Sequence, residues 1–169
     1  MLTIDTHCHA SPTWFEPVEL LLFQMDHNDV DKAVLIQHRG QYDNRYLLEC
    51  VQSFPGRFVA VGMLDTTLPD APDTLSRWAT EGIQGVRFNP MERSPGNDPL
   101  AIWRRASELG LVASCLGTAE EYASEGFRSL IEELPDLRVI VEHLGYVGRD
   151  DEPPYRIYKK ILALAQYPN

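Results

Sequence analysis

The sequence predicts an α/β fold, a parallel TIM-type (β/α)8 barrel with about six β/α units present, in one domain spanning residues 1–169. Three features predict it. Short apolar runs alternate with helix-like segments. The runs begin about every 27 residues, near positions 2, 32, 58, 85, 111 and 138. Polar residues with chemistry to offer collect where the runs end.

The elements follow in order. "LTIDT" (2–6) leads through "HCH" to a helix-like segment over 16–29. "KAVLIQ" (32–37) precedes a second segment over 43–54, stopped by Pro55-Gly56. "FVAVGML" (58–64) comes before 70–82, where Asp70 is placed to cap the helix and Gly82 to end it. "GVRFN" (85–89) is followed by 97–110, with Pro99 at an early helical position and Gly110 at the close. "LVASCL" (111–116) and "RVIVEH" (138–143) precede helical segments over 125–136 and 153–166. The runs are continuously apolar instead of alternating, the pattern of strands covered on both faces. Six units occupy all 169 residues, whereas a closed barrel needs roughly 250 and at least about 200. The expectation is a barrel whose last two units lie beyond Asn169. A sheet left open there has two exposed parallel edges, so the chain is expected to form homo-oligomers.

Composition limits the partners. A net charge of −10 with no cluster of Lys and Arg argues against nucleic acid. It leaves room for a small anionic substrate, because a pocket can carry local arginines against the overall balance. No apolar run approaches the roughly 18 residues of a membrane span, and the first residues lack a signal peptide's basic region and apolar core. Cys8, Cys50 and Cys115 are odd in number and lack CxxC spacing, as expected of reduced thiols in the cytoplasm. Cys8 is expected to pack away from its neighbours His7 and His9.

In parallel α/β folds the ligand sits beyond the carboxyl ends of the strands. His7 and His9 stand at the end of the first run, Gln37 and His38 at the second, Asp65 at the third, Arg87 and Asn89 at the fourth, and Glu142 and His143 at the sixth. Residues i and i+2 of a strand share a face, so His7 and His9 aim together. Two imidazoles on one face suit a divalent metal, or two donors on a carbonyl oxygen. Arg87 inside "QGVRFNP" requires an anion, either Glu142 or a substrate carboxylate. Arg93, in the proline-rich loop "NPMERSPGNDP", brings a second guanidinium toward the mouth. Asp65 suits a turn before "TTLPD", and His27 a solvated position late in the first helix.

"IDTHCH", "AVLIQ" leading into "YDNRYLLE", "PGRFVAVGMLD", "GIQGVRFN" and "VIVEHLG" together resemble the amidohydrolase-related family. The resemblance is strongest to its lactonase branch, which includes 2-pyrone-4,6-dicarboxylate lactonase-like hydrolases. It runs along essentially the whole chain. It implies a TIM barrel that hydrolyses a lactone or a related ester or amide. By that resemblance His7, His9 and His143 are catalytic and would hold a divalent metal, zinc first, or act directly in a metal-free site. By the same resemblance Arg87 and Arg93 would bind a carboxylated small molecule, and an aspartate beyond Asn169 would activate the water. Asn89 and His38 join them as substrate-binding candidates by their place at the strand ends, His38 with an ordinary loop histidine as the alternative. Related decarboxylases are the alternative within the family, and a binding fragment lacking that aspartate is the alternative outside catalysis. The TatD-like nucleases also open with "DTHCH", but Arg87 stands where they carry a metal-binding glutamate.

Overall fold

The computed structural model describes residues 1–149 and 152–169. Six parallel strands form one curled sheet in chain order: β1 (Ile4–Cys8), β2 (Lys32–Ile36), β3 (Phe58–Gly62), β4 (Gly85–Phe88), β5 (Val112–Cys115) and β6 (Arg138–Val141). Helices α1 (Val18–His27), α2 (Arg45–Ser53), α3 (Ala71–Glu81) and α4 (Ala101–Glu108) connect the first five strands. Between β5 and β6 lie α5 (Ala119–Tyr122) and α6 (Glu125–Glu133), and α7 (Arg156–Ala163) follows β6. This is the barrel architecture the sequence predicts, open between β1 and β6 among the described residues.

The apolar runs behave as expected in the middle of the sheet and not at its ends. Every residue of β4 is buried, and β3 and β5 each leave one residue partly exposed. β1 and β6 carry exposed positions, including Ile4 and Ile140, because each has one strand neighbour instead of two. An apolar hollow of about 440 Å³, lined by Val34, Val59, Val112 and Ile140 among others, remains along the sheet.

Two apolar clusters pin the helices to the strands. Leu35, Leu47, Met25 and Phe58 anchor the amino-terminal half; Trp103, Phe88, Phe127 and Tyr122 anchor the carboxyl-terminal half. Each such side chain contributes on the order of 1.5–3 kcal/mol by leaving water. Trp103 is fully buried and still donates its indole N–H to the Glu92 carbonyl at 2.9 Å, which ties α4 to the loop after β4.

Helix ends follow the sequence signals with three departures. Asp70 stands at the N-cap of α3 but its side chain makes no capping hydrogen bond. Gly82 closes α3 with φ 119°, a conformation open to glycine and unfavourable for other residues. Pro99 lies before α4 and not inside it, because Asp98 turns the chain by accepting the Leu100 N–H at 3.1 Å. The short α5 is not among the elements the sequence predicts. Thr118 and Glu121 cap it reciprocally, a signature that "TAEE" does carry.

The loop from β2 to α2 is held at both ends. Gln37 donates through Nε2 to the Asp43 carbonyl at 2.8 Å. The buried Asn44 side chain accepts from the Met63 N–H and donates to the Met63 carbonyl, both at 2.9 Å. Gly62 makes room for it, since a Cβ there would stand 3.0 Å from the Asn44 amide carbon.

Candidate active site

His7 lies within β1 and His9 just beyond it. Pairing with β2 slips between Asp5 and Cys8, so β1 carries an irregularity beside the histidines. Such bulges re-aim side chains at strand ends. The His7 and His9 rings are 5.1 Å apart, edge to face. Cys8 points elsewhere and donates weakly to the Val34 carbonyl at 3.4 Å; burial pushes its thiol up to about 12. Cys115 is wholly buried with its thiol pushed up by the same cause, so neither cysteine is poised as a nucleophile.

β6 delivers the other half of the site. Past Val141 the chain turns through Glu142–Tyr146, with His143, Leu144 and Gly145 consecutively left-handed at φ 52°, 53° and 63°. This turn buries Glu142 and brings His143 to His7, ring centroids 4.8 Å apart. Left-handed backbone in side-chain-bearing residues is strained, and such strain concentrates at functional sites.

Glu142 is the hub. Arg87 grips it in two-pronged fashion, Nε to Oε1 at 3.0 Å and Nη2 to Oε2 at 2.6 Å, while Ser114 Oγ donates to Oε1 at 2.7 Å. Arg87 Nη1 donates to the Gln37 carbonyl at 3.0 Å. The anion that Arg87 requires is therefore Glu142, of the two candidates the sequence offered. Glu142 Oε2 also lies 3.8 Å from His143 Nε2.

His9 donates from Nδ1 to the Ile36 carbonyl at 2.6 Å. A carbonyl only accepts, so this bond assigns the proton to Nδ1 and leaves a lone pair on Nε2. Burial lowers the pKa of both His7 and His9; Glu142 opposes this at His7, and the Ile36 hydrogen bond opposes it at His9. Both imidazoles are thus mainly neutral at pH 7, the form that coordinates metals or takes protons. A histidine whose folded pKa is depressed stabilises the fold above its unfolded value, near 6.5, and that contribution is lost as pH falls below it. The midpoint of urea unfolding is accordingly expected to fall between pH 7.5 and pH 5.5, and to fall less in a His7→Ala, His9→Ala double variant.

The orphan at this site is His7 Nε2, which is buried without a hydrogen-bond partner. Donor atoms of His7, Glu142 and His143 lie within 4.8 Å of one another. An unpartnered imidazole nitrogen beside a second imidazole and a carboxylate fits a divalent cation such as zinc or manganese. His9 stands outside this group of three, facing His7.

Other expected residues serve the frame. Arg93 donates to the Pro90, Glu92 and Gly126 carbonyls at 3.2, 2.7 and 3.2 Å. The Asn89 amide donates to Glu121 and Leu116 and accepts from the Met91 N–H. Their polar atoms thus fasten the loop after β4. Asp65 closes its own turn through Thr67, as expected. His27 closes α1, stacked on Phe23. His38 sits at the rim under Trp14, ring centroids 5.1 Å apart, while Phe15 stacks on His9 at 4.6 Å. The sequence marks none of these three: Trp14 and Phe15 lie in a segment without motif or period, and Ser114 sits inside an apolar strand run where nothing flags a hydroxyl.

A parallel barrel takes its ligand beyond the carboxyl ends of its strands, and there this chain gathers three imidazoles and a buried carboxylate. The chain belongs to the amidohydrolase family, whose model matches residues 4–169. No curated protein matches it significantly. Among solved structures it resembles a probable 2-pyrone-4,6-dicarboxylic acid hydrolase from Acinetobacter baumannii with citric acid bound. Identity is 21%, 97% of this chain and 66% of that one are covered, and the TM-score is 0.76. It also resembles an amidohydrolase from Burkholderia multivorans with bound zinc, at 15% identity, covering 97% of this chain and 67% of that one with a TM-score of 0.71. A third is a 5-carboxyvanillate decarboxylase from Novosphingobium aromaticivorans with bound manganese, at 16% identity, covering 85% of this chain and 66% of that one with a TM-score of 0.62. The chain thus spans about 66% of the length of the Acinetobacter protein. No described helix is long and apolar enough to cross a membrane.

Proposed function

We propose that this protein opens a carboxylated lactone by hydrolysis. The observation that carries the reading is the meeting of His7 and His143 at 4.8 Å, from strands at opposite ends of the sheet, over the buried Glu142–Arg87 pair. In this reading water adds its oxygen to the ring carbonyl carbon, the ring C–O bond breaks, and a proton ends on the leaving ring oxygen as a hydroxyl. His7 and His143 flank the oxygen on which negative charge develops, the position where a fixed N–H or a bound cation accelerates acyl transfer most. His9, its proton held on Nδ1 by Ile36, offers only the Nε2 lone pair. Glu142, held by Arg87 and Ser114, fixes the electrostatics beneath them. The water gives its proton to a general base within hydrogen-bond reach of it.

A divalent cation held by His7, Glu142 and His143 would supply Lewis-acid polarisation of the same carbonyl. The zinc and manganese described for two of the similar structures support that assignment. The citric acid described for the Acinetobacter protein supports a carboxylate-bearing ligand.

The test is a turnover assay of the purified protein with carboxylated six-membered lactones, with and without added zinc or manganese, following ring opening by absorbance. Ring opening without CO2 release is expected. Release of CO2 from a carboxylated phenol, with the lactones untouched, would transfer the assignment to the decarboxylase chemistry of the Novosphingobium neighbour.

A further inference from the structure

The two arginines expected to read the substrate's carboxylate are already occupied. Arg87 is spent on Glu142 and the Gln37 carbonyl, and Arg93 on three backbone carbonyls. A third arginine at the same rim is not. Arg39 follows β2, its side chain is exposed, and no protein acceptor takes its guanidinium among the described residues. With Tyr42, Met63, Arg87 and Asn89 it lines a cavity of about 200 Å³ beyond the ends of the central strands.

The backbone beneath Arg39 is fixed while its head is free. Gln37 and Asn44 tether the loop at its two ends, and the Gln41 N–H bonds the His38 carbonyl at 3.2 Å to close the turn between them. Gly40, left-handed at φ 85°, permits that turn. The charges around the cavity leave Arg39 as its unspent cation. Arg87 is neutralised by Glu142, and the Glu92 carboxylate is turned to the Thr66 hydroxyl and the Asn89 N–H.

We infer that Arg39 is the specificity-determining residue of this site, forking onto the carboxylate of a small ring-bearing acid whose carbonyl lies toward the histidines. The inference rests on the lactonase reading for the ligand's ring and stands on its own for the carboxylate. A guanidinium with no internal acceptor and a carboxylate entering a concave site form charge-assisted, two-pronged hydrogen bonds, a geometry that lysine reproduces only in part.

The experiment is calorimetric titration of phthalate, a planar aromatic dicarboxylate, into the unaltered protein and into Arg39→Met and Arg39→Lys. The exposed position predicts that both variants fold, which circular dichroism checks. Binding is expected to weaken by about 10- to 100-fold in Arg39→Met, with partial recovery in Arg39→Lys. Equal affinity in the unaltered and Met proteins, or no binding by the unaltered protein, would overturn the inference. Arg39-dependent phthalate binding without turnover of any lactone would sink the lactonase reading and leave Arg39 as the anion reader. Lactone turnover with Arg39-independent binding would do the reverse.

Discussion

Replacing Arg87 with methionine is expected to destabilise the fold by about 3–5 kcal/mol. The guanidinium and the Glu142 carboxylate are 5% and 1% exposed, so neither can turn to water when its partner is lost. Methionine leaves the carboxylate with one hydrogen bond, from Ser114, and only the His143 ring, 3.8 Å away, in place of the guanidinium. Proteins are stable by only about 0.05–0.15 kcal/mol per residue, so the loss would be a large share of the total. The double variant Arg87→Met, Glu142→Leu separates pairing from packing. Removing both charges together is often close to neutral, because the cost of desolvating them disappears with them. Urea unfolding of the two variants reads the difference directly. If Arg87→Met unfolds at the same urea concentration as the unaltered protein, the ion pair is not holding β4 to β6.

His7→Ala is expected to show the opposite profile. The buried Nε2 has no partner, so removing it relieves an unsatisfied polar atom and leaves stability within about 1 kcal/mol of the unaltered protein. Activity should fall by about 10²- to 10³-fold in kcat, the usual loss when one group facing a developing oxyanion is removed. Measuring both in one preparation makes the result decisive. A stable variant with unchanged kcat would remove His7 from the chemistry; an unstable one would assign it to the frame.

These two residues also show where a sequence can be read and where it stops. Strand order and position were legible because each helix–strand unit repeats a pattern of apolar run, turn and cap, and local chemistry dictates that pattern. β1 and β6 departed from it, because burial on both faces depends on neighbours and not on composition. At the site, His7, His9 and His143 were legible from their position past the strands. The partner of Arg87 was narrowed to two candidates, and only the turn that buries Glu142 decides between them. Arg93 and Asn89 read as ligand contacts because long polar side chains in a loop give no sign of which carbonyls will fold against them. Arg39 went unnoticed for the same reason: what marks it is the lack of a partner, a property that exists only in three dimensions.

The turn at His143 has a consequence for how the site tolerates change elsewhere. His143, Leu144 and Tyr146, which with Gly145 form four successive residues of positive φ, hold a backbone conformation disfavoured for side-chain-bearing residues. Such strain persists only where the surroundings allow no alternative. Gly145 shows what those surroundings are: a Cβ there would stand 2.8 Å from the Ile161 side chain on α7, and 3.5 Å from the Tyr122 ring. A helix outside the candidate site therefore sets the aim of an imidazole within it. Variation along α7 that slackens its seat on the sheet would be felt first as a misdirected His143, well before it registered as a loss of fold.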